Sequence, residues 1–189
     1  MNQILFNIQR TLNATEEELE ALDHVMEPVI LEKNEFFLKE FEICQSLAFM
    51  EKGSMRLFYD SPDKEICNDF FFENSLVGSV ASFLSGMPSL VSIAAIERCE
   101  LLVFKKNEIN TLIQEHPNLR KLAEFILQEH LLQTEKREAS LLKYSPETRF
   151  KNLLEEHPKI FKRIPLHYVA SYLSITPETL SRYRTKFLV

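Results

Sequence analysis

The chain has no tryptophan and only three glycines in 189 residues. Gly53, Gly78 and Gly86 lie too far apart to form a Walker loop or a dinucleotide-binding glycine turn. Cysteine is also scarce. Cys44, Cys67 and Cys99 are odd in number and include no CxxC pair, so neither a disulfide framework nor a zinc or iron–sulfur site is expected. The five histidines, His24, His116, His130, His157 and His167, fall in helical or loop stretches with no ligand spacing, which argues against a metal-dependent cupin enzyme. A haem sensor would need an axial ligand at the strands, for which only the three cysteines offer themselves. No nucleophile–base pairing is visible, and enzyme activity is not expected. No run reaches the ~18 apolar residues of a membrane span. The start, MNQILFNIQR, lacks the basic end, apolar stretch and small-residue cleavage site of an export signal. The expectation is a cytoplasmic protein with no metal and no membrane contact.

Acidic residues are in excess, with a net charge of −6, but unevenly. Residues 143–189 carry nine Lys/Arg (Lys143, Arg149, Lys151, Lys159, Lys162, Arg163, Arg182, Arg184, Lys186) against four acids, a balance of +5 that leaves −11 for residues 1–142. Such asymmetry places a phosphate-seeking surface in the C-terminal segment.

The first two thirds read as short strands. Thr15 to Glu18 is a capping-box signature opening a short helix that Pro28 ends. VILEK, EFFLKE, SLAFMEKG, SMRLFYD, EICNDFFF, VSIAAIERC and ELLVFKK follow, separated by turn residues. Leu47 and Phe49 alternate with Ala48 and Met50 as in a half-buried strand. Short strands followed only by helices imply a closed roll and then a helical unit, an α+β arrangement. Phe36, Phe37, Phe49, Phe58, Phe70, Phe71, Phe72 and Phe83 are read mainly as core filling.

From Pro117 to about Leu142 no Gly or Pro interrupts a run of good helix formers. Leu119, Leu122, Ala123, Ile126, Leu127 and Leu131 form a stripe broad enough for both a dimer seam and contact with the roll. Ser145 is read as a helix cap and Pro146 as the first residue of the next helix.

Residues 164–187 carry the most information. Leu166, Val169, Ala170 and Leu173 mark the buried face of one helix, Ser174 and Ile175 the turn, and Thr176–Pro177 the capped start of a second helix. Ser174 stands where a tight turn favours Gly, at a cost of about 1 kcal/mol. Leu180, Tyr183 and Phe187 face inward. Thr176, Glu178, Thr179, Ser181, Arg182, Arg184, Thr185 and Lys186 are the candidate DNA contacts. Arg182 can donate twice to guanine and Glu178 can accept from cytosine, while Ser181, Arg184 and Lys186 suit phosphate.

ITPETLSR, with Glu178, Ser181 and Arg182, resembles the recognition helix of Crp/Fnr-type transcription regulators. Residues 28–105 resemble that family's cyclic-nucleotide-binding barrel, with GSVASFLSGMPSLVSIAA tracking its phosphate cassette. The resemblance implies a double-stranded β-helix (jelly-roll) barrel over 1–116, a long dimerisation helix over 117–142 and a helix-turn-helix domain over 143–189. It also implies double-stranded DNA, a second copy of the chain and RNA polymerase as partners. The effector pocket it implies comprises Phe72, Gly78, Ser79, Val80, Ser89 and Leu90. Ser89 stands at the family's phosphate-binding Arg position and Ser79 at its ribose-binding Glu. No Arg lies between Arg56 and Arg98, so a buried cyclic phosphate would lack a cation and a cyclic nucleotide is not expected. Many relatives continue into a β-hairpin wing. The sequence stops at Val189 without room for one: either the protein is a wingless variant, for which a shallower salt dependence is expected, or the chain is cut short of the wing. The alternative is a small-molecule sensor acting through protein–protein contact, with a vestigial helix-turn-helix.

Overall fold

The computed structural model describes residues 3–62 and 64–188. Two helices come first, α1 (Gln3–Leu12) and α2 (Glu16–Val25). Thr15 and Glu18 make the expected capping box, with Thr15 N–H donating to Glu18 Oε2 at 2.8 Å and Glu18 N–H to Thr15 Oγ1 at 3.2 Å. Glu18 also accepts from Asn118, which ties α2 to the region after the strands.

Eight strands follow in two antiparallel sheets. They are β1 (Glu27–Leu31), β2 (Phe36–Leu38), β3 (Ser46–Lys52), β4 (Met55–Ser61), β5 (Lys64–Phe71), β6 (Leu76–Val77), β7 (Ser92–Ala95) and β8 (Cys99–Lys105). One sheet runs β1-β8-β3-β6 and the other β2-β7-β4-β5. Leu47, Met50, Leu101, Met55, Phe71 and Ile93 belong to one hydrophobic core shared by both sheets. Leu47, Ala48, Phe49 and Met50 are all buried, so β3 is covered on both faces rather than half-buried. The alternation could not show this, because helices from elsewhere in the chain cover its second face. Of the eight phenylalanines, Phe49, Phe58, Phe70, Phe71 and Phe83 are buried, whereas Phe36 is exposed.

A short helix α3 (Val80–Ser85) interrupts the strands. Beyond β8 come α4 (Lys106–Glu115), a 3-10 turn at Pro117–Leu119 and the long α5 (Arg120–Lys143). The C-terminal part is α6 (Pro146–Glu156), α7 (Ile160–Arg163), α8 (Leu166–Tyr172) and α9 (Pro177–Phe187). Ser145 caps α6 by accepting from Thr148 N–H at 3.2 Å. A second core joins this part to the outer face of the β4–β5 sheet. It contains Phe58, Cys67, Phe70 and Ala94 together with Phe150, Leu153, Ile160, Val169, Leu173 and Leu180. Leu166, at the very start of α8, is exposed instead of joining the inner face. Among the described residues no helix is long and apolar enough to cross a membrane.

The turn between α8 and α9 is a Schellman stop. Ser174 N–H donates to Ser171 O at 2.9 Å and Ile175 N–H to Ala170 O at 3.0 Å. Ser174 sits at φ 52°, the strained conformation its place in the turn demands. Replacing Ser174 by Gly should therefore raise unfolding free energy by up to about 1 kcal/mol, read as a higher urea midpoint with an unchanged slope.

Candidate functional site

Leu180 anchors α9 in the second core, and at about 100° per residue the rest of the helix is placed by that anchor. Glu178, Ser181, Arg182, Thr185 and Lys186 fall roughly 100–240° around from Leu180, and all five are exposed. Thr176 caps the helix, accepting from Thr179 N–H at 3.3 Å. Glu178 stays below the usual carboxylate range because its own backbone N–H and the Thr176 hydroxyl bond to it. It is an acceptor at the helix start, one turn before Arg182, whose exposed guanidinium stands 6.0 Å from the Tyr183 ring.

Arg184 departs from the expected outward set. Four residues beyond Leu180, it lies about 40° from the buried centre, and its guanidinium packs over Phe161 at 5.6 Å. Thr179 is half-buried and mainly completes the cap. Lys186 is exposed but engaged, donating to Glu147 Oε2 at 3.1 Å, and Lys151 meets the same carboxylate. Arg149, counted by charge as part of a cationic surface, is buried. Its Nε and Nη2 donate to Leu173 O at 3.2 and 2.9 Å, and Nη1 donates to Tyr144 O at 2.8 Å. It closes the end of α8 rather than facing solvent, and a charge count cannot see that.

Arginines also fasten the C-terminal part to the sheets. Arg163 donates to Glu73 at 2.7 and 2.8 Å, to Glu97 at 2.7 Å and to Gly53 O at 2.8 Å. Gly53, at φ 110°, cannot be replaced without strain, since a Cβ would lie 2.8 Å from Arg98 O. Ser171 of α8 accepts from Cys67 N–H at 3.0 Å and donates to Glu65 O at 3.2 Å, so α8 is bonded directly to β5. Arg56 pairs with Glu65 and lies between the Phe58 and Tyr168 rings at 4.6 and 4.4 Å. Arg137 of α5 donates to Tyr172 O at 2.7 Å and to Asn68 Oδ1 at 3.2 Å. Arg163 holds Glu73 down to about 2. Burial pushes Asp69, beside Arg137, up to about 6.

The six effector-pocket residues have different surroundings. Phe72 belongs to the docking surface, 5.1 Å from the His157 ring and 5.4 Å from Arg163. Leu90 points outward at 68% exposure. Ser89 is buried and spent on its own turn, donating to Val91 O at 2.9 Å and accepting from Val91 N–H at 3.2 Å. Gly78 and Ser79 lead into α3. A Cβ at Gly78 would strike Leu47 Cδ2 at 2.3 Å, so its role is close packing. Val80 turns into an apolar cleft. None of the six carries a positive charge. Spacing aligned the segment with a phosphate cassette, but the side chains have other partners. The three cysteines are free and buried, and burial raises Cys67 to about 12 and Cys99 to about 11.

The stripe on α5 divides. Leu119 and Leu122 are buried in the chain's own core, with Ile126 packed against it, whereas Leu127 and Leu131 are exposed together with Phe125, Leu132 and Leu142.

Residues 28–116 match the family model of the cyclic nucleotide-binding domain. No curated protein matches the chain. Solved structures match along nearly its whole length. The c-di-GMP-responsive global regulator CLP of Xanthomonas campestris is 16% identical with a TM-score of 0.72 over 92% of each chain. FixK2 of Bradyrhizobium japonicum is 16% identical with a TM-score of 0.76 over 87% of this chain and 85% of that one. A protein of Eubacterium rectale classed with the Crp/Fnr regulators is 16% identical with a TM-score of 0.67 over 93% and 84%. At these identities the likeness is one of fold.

One outcome tests the docking and a second the closure of the C-terminal part. Glu73 has its pKa lowered on folding from 4.5 to about 2, so its contribution is full above about pH 4.5 and is lost as pH falls towards 2. The melting-temperature gap between the wild type and Glu73→Gln should therefore shrink across that window. Comparison with this variant cancels Asp69, whose raised pKa acts in the opposite sense, favouring folding at low pH and losing that effect as pH rises through about 6. Arg149→Met should cost about 3 kcal/mol in denaturant unfolding, because it strands buried carbonyls.

Proposed function

We propose that this chain, a cyclic nucleotide-binding-domain protein with the fold of Crp/Fnr-type regulators, is a DNA-binding transcription regulator that reads a palindromic site as a homodimer. The observation that carries this reading is the α9 face. Five polar residues lie on one solvent-facing arc, while Leu180 and Ser171 fix the helix pair from behind. Arg182 reads a guanine edge and Glu178 a cytosine amino group. Ser181 and Thr185 lie beside Glu178 on the same arc. Lys186 exchanges Glu147 for phosphate, and Lys151, Lys159 and Lys162 extend the cationic field. Arg149, Arg163 and Arg184 are left out of the contact set, because Arg149 and Arg163 are hydrogen-bonded within the chain and Arg184 packs over Phe161.

The exposed leucines of α5 are the face for the second copy. Leu127, Leu131 and Leu142 are 50, 64 and 80% exposed on a helix whose beginning is already covered by its own chain. A pair joined there presents two copies of α9 about one DNA turn apart, the spacing a palindrome requires. The regulating signal is not a cyclic nucleotide in this reading, since nothing at Ser79 or Ser89 compensates a buried phosphate.

Selection from a random DNA library should recover an inverted repeat. Arg182→Ala should cost about 1–3 kcal/mol at one base pair of each half-site, and Lys186→Ala should weaken all sequences about equally. Undiminished binding by Arg182→Ala would contradict the assignment. Leu127→Asp combined with Leu131→Asp should sediment as a monomer and lose the palindrome, with little change in helical content.

A further inference from the structure

Past Ile126 the long helix has two distinct faces. His130, Arg137 and Ser140 are half-buried and lie within about 40° of Ile126 around the helix, whereas the rest of 127–143 is exposed. Leu127, Leu131 and Leu142 stand about 100–160° away from Ile126. The face proposed for the second copy and the face towards the chain's own body are therefore on different sides of one rod. Arg137 belongs to the second.

Its guanidinium joins three elements. Nε donates to Asn68 Oδ1 at 3.2 Å, Nη2 donates to Tyr172 O at 2.7 Å, and the group lies 4.0 Å from the Tyr172 ring. Asn68 is aimed by a bulge in β5. Leu57 pairs with Asp69 and Phe58 with Cys67, so Asn68 is the extra residue between them. β5 is an edge strand, and α8 covers its open side through Ser171. Tyr172 O lies in the last turn of α8, where helix carbonyls lack intrahelical partners. Arg149 takes the next carbonyl, Leu173 O, just before the turn into α9. The covalent route from α5 to the C-terminal helices is a short joint. α5 ends at Lys143, and Tyr144 is extended at φ −100° and ψ 141°. One joint fixes a position but leaves a direction open. Arg137, roughly 9 Å back along the rod, supplies a second point of attachment.

We propose that Arg137 is a positioning residue that clamps α8 against β5 and, in the homodimer, sets the separation of the two α9 helices so that the pair accepts one half-site spacing. The leucine face that would meet the second copy lies on this same stretch of α5, so the seam reaches the α8–α9 turn through one guanidinium. Each base pair added or removed between half-sites shifts one of them by about 3.4 Å and turns it by about 34°. A clamped pair cannot follow that change, whereas a pair free to swivel can. The spacing role rests on the DNA-binding reading. The clamp itself does not.

Cys67 reports the clamp. It is fully buried in the second core with its N–H on Ser171, while Cys44 and Cys99 belong to the first core. The full chain and its Arg137→Gln variant are treated with N-ethylmaleimide in native buffer. Peptide mass spectrometry reads the rate at each thiol, and circular dichroism verifies the fold. Cys67 should label about tenfold faster in the variant, with Cys44 and Cys99 unchanged, because only the α8–β5 contact opens. An unchanged Cys67 rate, or equal acceleration of all three thiols, overturns the clamp. Inverted repeats of the selected half-site, with spacers one and two base pairs longer and shorter, test the spacing role by fluorescence anisotropy. The wild type should lose about tenfold in affinity per base pair of departure and Arg137→Gln less than about threefold, with the preference at the base pair read by Arg182 retained. A wild type indifferent to spacing, or a variant as strict as the wild type, overturns the spacing role. Faster Cys67 labelling in the variant of a chain that retains no DNA supports the clamp and overturns the DNA reading.

Discussion

Arg163 is the fastening on which the relation between the two cores depends. One guanidinium bridges Glu73, Glu97 and the Gly53 carbonyl, so three loops of the strand region converge on the last residue of α7. Three residues on, the chain starts α8, whose Ser171 bonds to β5. The direction in which α9 presents Glu178 and Arg182 follows from those bonds. Polar attachments of this kind are well suited to being remade. An apolar contact loses free energy roughly with area, whereas a charged fork must find other partners or water to leave its place. The interface combines both kinds, with Phe58, Phe70 and Tyr172 giving bulk and the arginines giving register.

The strand region keeps an architecture associated with phosphate binding and assigns its cassette residues elsewhere. Ser89 bonds within its own turn, Gly78 admits Leu47, and Val80 faces apolar walls. The nearby cation, Lys106, approaches α3 from the opposite side, where it meets the carbonyls at the end of that short helix.

Much of this was legible from residue types. The capping box at Thr15, the Ser145 cap and the strained Ser174 turn rest on interactions within a few residues, the inward face of Leu180 on helical period, and each stands in the structure as the sequence implied. Periodicity also separated the inner and outer faces of α9, except at its flank, where Arg184 lies near enough to Leu180 to find Phe161. Charge counting was less reliable. It could place nine cations in the tail, but it could not tell an exposed Lys162 from a buried Arg149, because that difference depends on which distant carbonyls are within reach.

The sequence alone determined that strands come first and helices after, the position of the α8–α9 turn, the polar arc of the last helix and the lack of a cation in the cassette. All of these are local or compositional. Tertiary structure alone decided that Leu119 and Leu122 serve their own core while Leu131 stays bare, and that Phe72 belongs to docking. The physical reason is that burial and pairing are set by neighbours tens of residues away, as Cys67 and Ser171 are, and one chain position carries no record of them until the backbone brings them together.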